Sequence, residues 1–126
     1  MERSIKITAG PMEVFAALNA SATADAVWNA LPLKSTAQTW GDEIYFTIPV
    51  RSSLDDTARE VVDKGALGYW PSGPAFCIFF GPTPMSRGAE IRPASAVNVF
   101  GRIAGELSVL TMVRSGSAVL VEKAGA

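Results

Sequence analysis

The sequence predicts a mainly β fold: a closed barrel of roughly eight short strands with two short helices, its interior filled by side chains. Short alternating runs of apolar and polar residues recur along the 126-residue chain, and glycine or proline separates most of them. One run, Ala75 to Phe80, is apolar on both alternating faces. Such a strand is covered on both sides, by a core on one face and by a helix or loop on the other. The surrounding stretch, GALGYWPSGPAFCIFFGPTP from Gly65 to Pro84, holds Trp70, the only cysteine (Cys77) and three of the six phenylalanines.

The elements follow in order. Ile5, Ile7 and Ala9 alternate with Lys6 and Thr8, Gly10-Pro11 turns the chain, and Met12 to Leu18 supplies the partner of an opening hairpin. From Ala20 to Leu31 the period changes: Ala24, Val27, Trp28 and Leu31 share one helical face, Ser21 or Thr23 caps the first turn, and Pro32 stops the helix. Trp28 either packs that helix over a barrel opening or stacks on a ligand. Lys34 to Trp40 and Asp42 to Ile48 form a second strand pair about Gly41-Asp42, with Ile44, Phe46 and Ile48 on one face and Glu43, Tyr45 and Thr47 on the other. Arg51 to Thr57 has charges without an apolar period and reads as a loop.

Pro71-Ser72-Gly73 turns the chain before the strand that Pro74 introduces. Gly81 to Ala96 is a long connection without periodicity, and a loop of that length in a small domain is more often functional than a spacer. Val97 to Ile103 is strand-like, Glu106 to Val113 reads as the second short helix, and Ala118 to Glu122 is the last strand. The chain reads as one domain, 1–126, without repeats or a linker.

Composition narrows the chemistry. With 48% hydrophobic and 18% charged residues, a packed globular domain is expected without disulfide or metal support. A net charge of −1 gives no reason to expect nucleic acid or an anionic membrane as partner. Histidine is absent, which removes Ser-His, Cys-His and His-metal arrangements. Cys77, between Phe76 and Ile78, is expected to be an inert core thiol because nothing near it in sequence would lower its pKa. Met1 to Lys6 lacks the apolar region of a secretory signal, and no run reaches the ~20 residues of a membrane span, so a cytoplasmic location is expected.

Acid–base and phosphate motifs are equally sparse. Asp42 and Glu43 are strand neighbours on opposite faces, Asp55-Asp56 reads as turn chemistry, and Gly65-Ala66-Leu67-Gly68 lacks the lysine of a phosphate loop. No cofactor or metal site is expected. What the residues do offer is a rim formed by Tyr45 to Arg51, Tyr69 to Phe80 and Arg87 to Arg92. Arg87 and Arg92 are donors for a carboxylate or phosphate, and Tyr69, Trp70 and Phe80 could form an aromatic wall. The competing readings are an internal Arg–Glu90 pair on a solvated loop, and Trp70 as a seam residue before the W-P-S-G turn.

The Gly65–Pro84 wording, followed by Glu90-Ile91-Arg92-Pro93-Ala94-Ser95 and Val97-Asn98-Val99-Phe100-Gly101-Arg102-Ile103, resembles the small bacterial and archaeal cyclophilin-like proteins. The resemblance implies a compact closed barrel with two capping helices and no particular activity. True cyclophilins are peptidyl-prolyl isomerases that bind Xaa-Pro peptides on the outer barrel wall. Against their Ser-Gln-Phe-Phe strand this chain reads Cys77-Ile78-Phe79-Phe80, keeping the phenylalanine as Phe80 but replacing the glutamine with Ile78. Val97 stands where their pocket histidine would be, and only Arg51 offers itself as the catalytic arginine. The resemblance thus points to a barrel that binds a small molecule or peptide without the isomerase's polar groups. Weak isomerase activity, through Arg51 or Arg92 and Phe80, is the alternative. A third reading, an interaction module of an amide-processing assembly, rests on fold analogy. Neither the ligand nor the oligomeric state is readable.

Overall fold

The computed structural model describes residues 3–124. The opening hairpin forms as expected: β1 (Arg3–Ala9) and β2 (Met12–Leu18) pair with Ile5 opposite Ala16 and Ile7 opposite Val14. Helix α1 (Ala22–Ala30) follows, and the Ser21 hydroxyl caps it by accepting the Ala24 N–H at 3.1 Å. Ala24 and Val27 are fully buried, whereas Trp28 is half-buried. Trp28 packs partly on the core, and the Lys123 ammonium and Arg3 guanidinium lie 4.7 and 5.7 Å from its ring centroid.

The remaining strands are β3 (Leu33–Thr36), β4 (Gln38–Thr39), β5 (Glu43–Thr47), β6 (Ala58–Arg59), β7 (Ala66–Trp70), β8 (Ala75–Phe79), β9 (Val97–Ala104) and β10 (Ala118–Lys123). One antiparallel sheet runs β3-β10-β1-β2-β9-β7-β8-β5-β4, with β6 paired to the start of β9. Its two edges, β3 and β4, are consecutive in the chain. Ala37, fully buried between them, takes the chain from β10 to β5 and splits the expected Lys34–Trp40 strand.

Closure is therefore made by the chain and by side chains, such as the Ser35 hydroxyl donating to the Thr47 carbonyl at 2.7 Å, and not by a ladder of hydrogen bonds. The expectation of a closed eight-stranded barrel is corrected accordingly: the sheet curls round, and its ladder stays open. The expectation of two helices is corrected as well. Only α1 is an α-helix among the described residues; Ser108–Met112 is a single 3-10 turn, tied by the Leu110 N–H to the Leu107 carbonyl and the Val113 N–H to the Leu110 carbonyl. β-Branched Val109 and Thr111 disfavour a longer helix, and burying Leu110 and Val113 needs no more than this turn.

The interior is filled. Phe46 stacks on Phe76 with centroids 4.8 Å apart, and Phe76 meets Phe100 edge-on at 5.0 Å. Such pairs add about 0.5–1.5 kcal/mol each beyond their burial. Strand β8 is covered on both faces: Phe76 and Ile78 enter this core, while Ala75, Cys77 and Phe79 join a second, smaller cluster with Val62, Ile91 and Val97. That smaller cluster lies on the outer wall, under the long connection between β8 and β9. No helix among the described residues is long and apolar enough to cross a membrane.

Candidate functional site

With the interior occupied, the outer wall is the place for a ligand, and strand alternation decides which side chains face it. Glu43 and Tyr45 of β5 lie beside Phe79 and Cys77 of β8, because the register pairs Glu43 with Phe79 and Tyr45 with Cys77. Gly68 of β7 completes the floor: a Cβ there would stand 2.7 Å from Val97 and 3.0 Å from Phe79, so its missing side chain is what lets those two close together. The covered patch ends in a cleft of about 220 Å³, walled by Trp40, Tyr45 and Trp70 and, from the long connection, by Pro93 and Ala94.

Two devices hold the walls. The Trp70 indole N–H donates to the Ser95 hydroxyl at 2.6 Å, and Gly73 packs against the ring so closely that a Cβ would come within 2.6 Å of it. This accounts physically for the W-P-x-G wording. The long connection is closed at its neck, where the Thr83 hydroxyl donates to the Arg92 carbonyl and the Ser86 hydroxyl accepts the Thr83 and Arg92 N–H groups at 2.9 and 3.0 Å. The Val62 N–H donates to the Ile91 carbonyl at 3.0 Å and ties the loop down.

Glu43 sits in this setting 5% exposed, and its carboxyl makes no ion pair among the described residues; the Cys77 thiol lies beside it and hydrogen-bonds the Ala75 carbonyl at 3.9 Å. Burial raises its pKa to about 7, and the thiol, a weak donor, offsets only part of that. Burial likewise pushes the Cys77 thiol well above its ordinary range, and the charge of Glu43 adds to the push. A thiol held neutral is no nucleophile. Its place is as packing and as a weak partner to the carboxyl. Among the described residues no three His, Cys, Asp or Glu side chains gather as a metal site would need.

The residues singled out from the sequence do not form one rim. Tyr45 and Trp70 line the cleft. Tyr69 is 1% exposed, and its hydroxyl donates to the Val50 carbonyl at 2.6 Å and accepts the Ser52 N–H at 3.2 Å, so it fastens the Arg51–Thr57 loop. Phe80 lies in the main core on the opposite side of β8. Arg51 is exposed beside Ser52, Pro71 and Pro74, away from the cleft. Arg87 is exposed on the long connection, while Glu90 and Arg92 pair with each other at 2.7 Å. The hydrogen bond from Arg92 holds Glu90 below the usual carboxylate range.

Trp40, Glu43, Pro93, Ala94 and Val97 line the cleft but lie outside the rim expected from the sequence. A signal for Glu43 did exist. A strand apolar on both faces, Ala75 to Phe80, requires its neighbours to be covered on the same outer face, and Glu43 stands on the strand that pairs with it.

No curated protein matches the sequence. A hypothetical protein from Archaeoglobus fulgidus, known from its solution structure, shares 43% sequence identity, with 98% of this chain and 95% of that one covered and a TM-score of 0.83. McbB, solved in complex with tryptophan, is similar in fold, with a TM-score of 0.73 at 15% identity; 97% of this chain is covered, but only 45% of McbB. The model of the family described as cyclophilin-like matches residues 3–122, and the chain belongs to that family.

Proposed function

We propose that the protein binds a small molecule in the outer-wall cleft beneath the long connection, and that it does so without isomerase machinery. The observation that carries this is Glu43: an acidic residue only 5% exposed, without an ion pair and with a thiol as its nearest polar neighbour, lining an otherwise apolar and aromatic cleft. A buried carboxyl without a good partner costs stability, and a chain that keeps one in a preformed cleft has a use for it. The fixed Trp70 ring and the tied loop supply a wall that need not rearrange on binding. Prolyl isomerisation has no comparable support, since Phe80 packs in the interior, Arg92 is taken up by Glu90 and Arg51 lies on another surface.

An amide-resolved NMR titration with a fragment library and a set of Xaa-Pro peptides tests this. The expected result is fragment-induced shifts at Glu43, Tyr45, Trp70, Cys77 and Val97, with unaltered cis–trans exchange in the peptides. Shifts confined to Arg51 or to Arg87–Arg92 would move the site, and accelerated exchange would put the isomerase reading first.

A further inference from the structure

The chemistry of the cleft restricts the ligand further. Its only strongly polar group is the Glu43 carboxyl; the Cys77 thiol and the Tyr45 hydroxyl are the other titratable groups facing it, and none of the side chains that line it is a lysine or arginine. An anionic ligand would meet a like charge with no cation to hold it. A neutral ligand could hydrogen-bond the protonated carboxyl, but it would leave the carboxylate form as poorly compensated as before.

A cation does both things that the site lacks. It gives Glu43 a counter-charge within a poorly solvated cleft, where charge-assisted hydrogen bonds are strong, and it gains from the aromatic side chains of Trp40, Tyr45 and Trp70. Size sets the other limit. At roughly 30 Å³ per water, the cleft displaces the equivalent of about seven waters, which suits one ring-sized body. Resting on the ligand-binding reading above, we infer that the cleft takes a small organic ammonium, with its N–H groups on the Glu43 carboxylate and its apolar body against the tryptophans.

Three matched probes of one size test it: benzylammonium, benzyl alcohol and benzoate, titrated while the three indole N–H resonances are followed. Trp40 and Trp70 line the cleft, whereas Trp28 lies under Arg3 and Lys123 and serves as the internal reference. The expected result is that benzylammonium moves the Trp40 and Trp70 signals, leaves Trp28 unmoved, and binds at least about tenfold more tightly than benzyl alcohol, with benzoate weakest.

Charge coupling provides the second readout. Because Glu43 titrates at about 7, benzylammonium affinity in the wild-type protein should rise about tenfold between about pH 6 and pH 8, and benzyl alcohol affinity should not rise. Glu43→Gln should abolish both the preference and the slope. An alcohol bound as tightly as the ammonium, or a preference that survives Glu43→Gln, overturns the ammonium assignment and leaves the cleft as a small-molecule site. Probes that leave Trp40 and Trp70 unmoved overturn the cleft reading itself. Should Glu43→Gln fail to fold, the wild-type pH profile decides: a flat profile for benzylammonium overturns the assignment.

Discussion

Two carboxylates, the buried Glu43 and the half-buried Asp55, flank this curled sheet, and their surroundings drive them in opposite directions. Burial pushes Asp55 up, but hydrogen bonds from Thr23 at 2.7 Å, from the Thr57 N–H at 2.8 Å and from the Thr57 hydroxyl outweigh it and hold the group below its ordinary range. Around it, the fully buried Asn98 donates to the Thr23 hydroxyl and the Ser53 carbonyl, both at 2.9 Å, and accepts the Asp55 N–H at 2.8 Å. Every polar group in that latch has a partner, and its role is to fasten the Arg51–Thr57 loop to α1 and β9. Glu43 has only a thiol. A polar cluster whose groups satisfy one another is structure, while a carboxyl that opens on a cleft without a strong partner is a place for a ligand.

The hardest break in the comparison is Asn98→Ala, which strands the Ser53 carbonyl and the Asp55 N–H together. We expect a loss of about 4 kcal/mol in denaturant unfolding, with faster hydrogen exchange through residues 51–57. A loss below about 1 kcal/mol would mean that the latch is not what holds the loop.

Glu43→Gln should act the other way. Because the folded chain keeps the Glu43 proton to higher pH than the unfolded chain does, ionisation penalises folding as pH rises from the ordinary carboxylate range through about 7. At about pH 8 the glutamine variant should be more stable than wild type by on the order of 3 kcal/mol, with most of the difference gone by about pH 5. Stability curves of equal slope for the two proteins would show that Glu43 is compensated after all.

Asp55→Asn sharpens the contrast, since this carboxylate stabilises the fold where it is charged. The variant should lose about 1–2 kcal/mol at neutral pH. The deficit should shrink in acid, as the wild-type group protonates below the ordinary carboxylate range; a constant deficit would point to geometry and not to charge. Smallest of all is Glu90→Gln, at a half-buried ion pair near the surface: its thermal midpoint at physiological ionic strength should fall little if at all, and a clear drop would make the Glu90–Arg92 pair part of the loop's support.

Much of the fold was readable, for reasons these residues make plain. The opening hairpin, α1 with its Ser21 cap, the doubly covered β8 and the turn at Pro71-Ser72-Gly73 each rest on periodicity or turn chemistry within a few residues. The errors lay where distant contacts decide. Nothing local shows that Ala37 would be buried and split a strand, or that two hydrogen bonds would content Ser108–Met112 with a single 3-10 turn. The candidate site was half readable: Tyr45 and Trp70 were drawn from their type and position, but Phe80 and Tyr69, equally aromatic, belong to the interior.

By itself, the sequence determined the opening hairpin, the helix that follows it, the turn at Pro71-Ser72-Gly73 and that Ala75 to Phe80 would be covered on both faces, because alternation and chain reversal are set by neighbouring residues. It also excluded every chemistry that needs a histidine. Only the tertiary structure decided that the second cover would be the connection between β8 and β9, tied at Thr83 and Arg92, and that it would leave a cleft beside Glu43. Burial shifts this carboxyl, and the cleft it lines is assembled from four parts of the chain, with Trp40, Trp70, Phe79 and Pro93 among its walls. A pKa depends on that assembled environment, which no local pattern encodes.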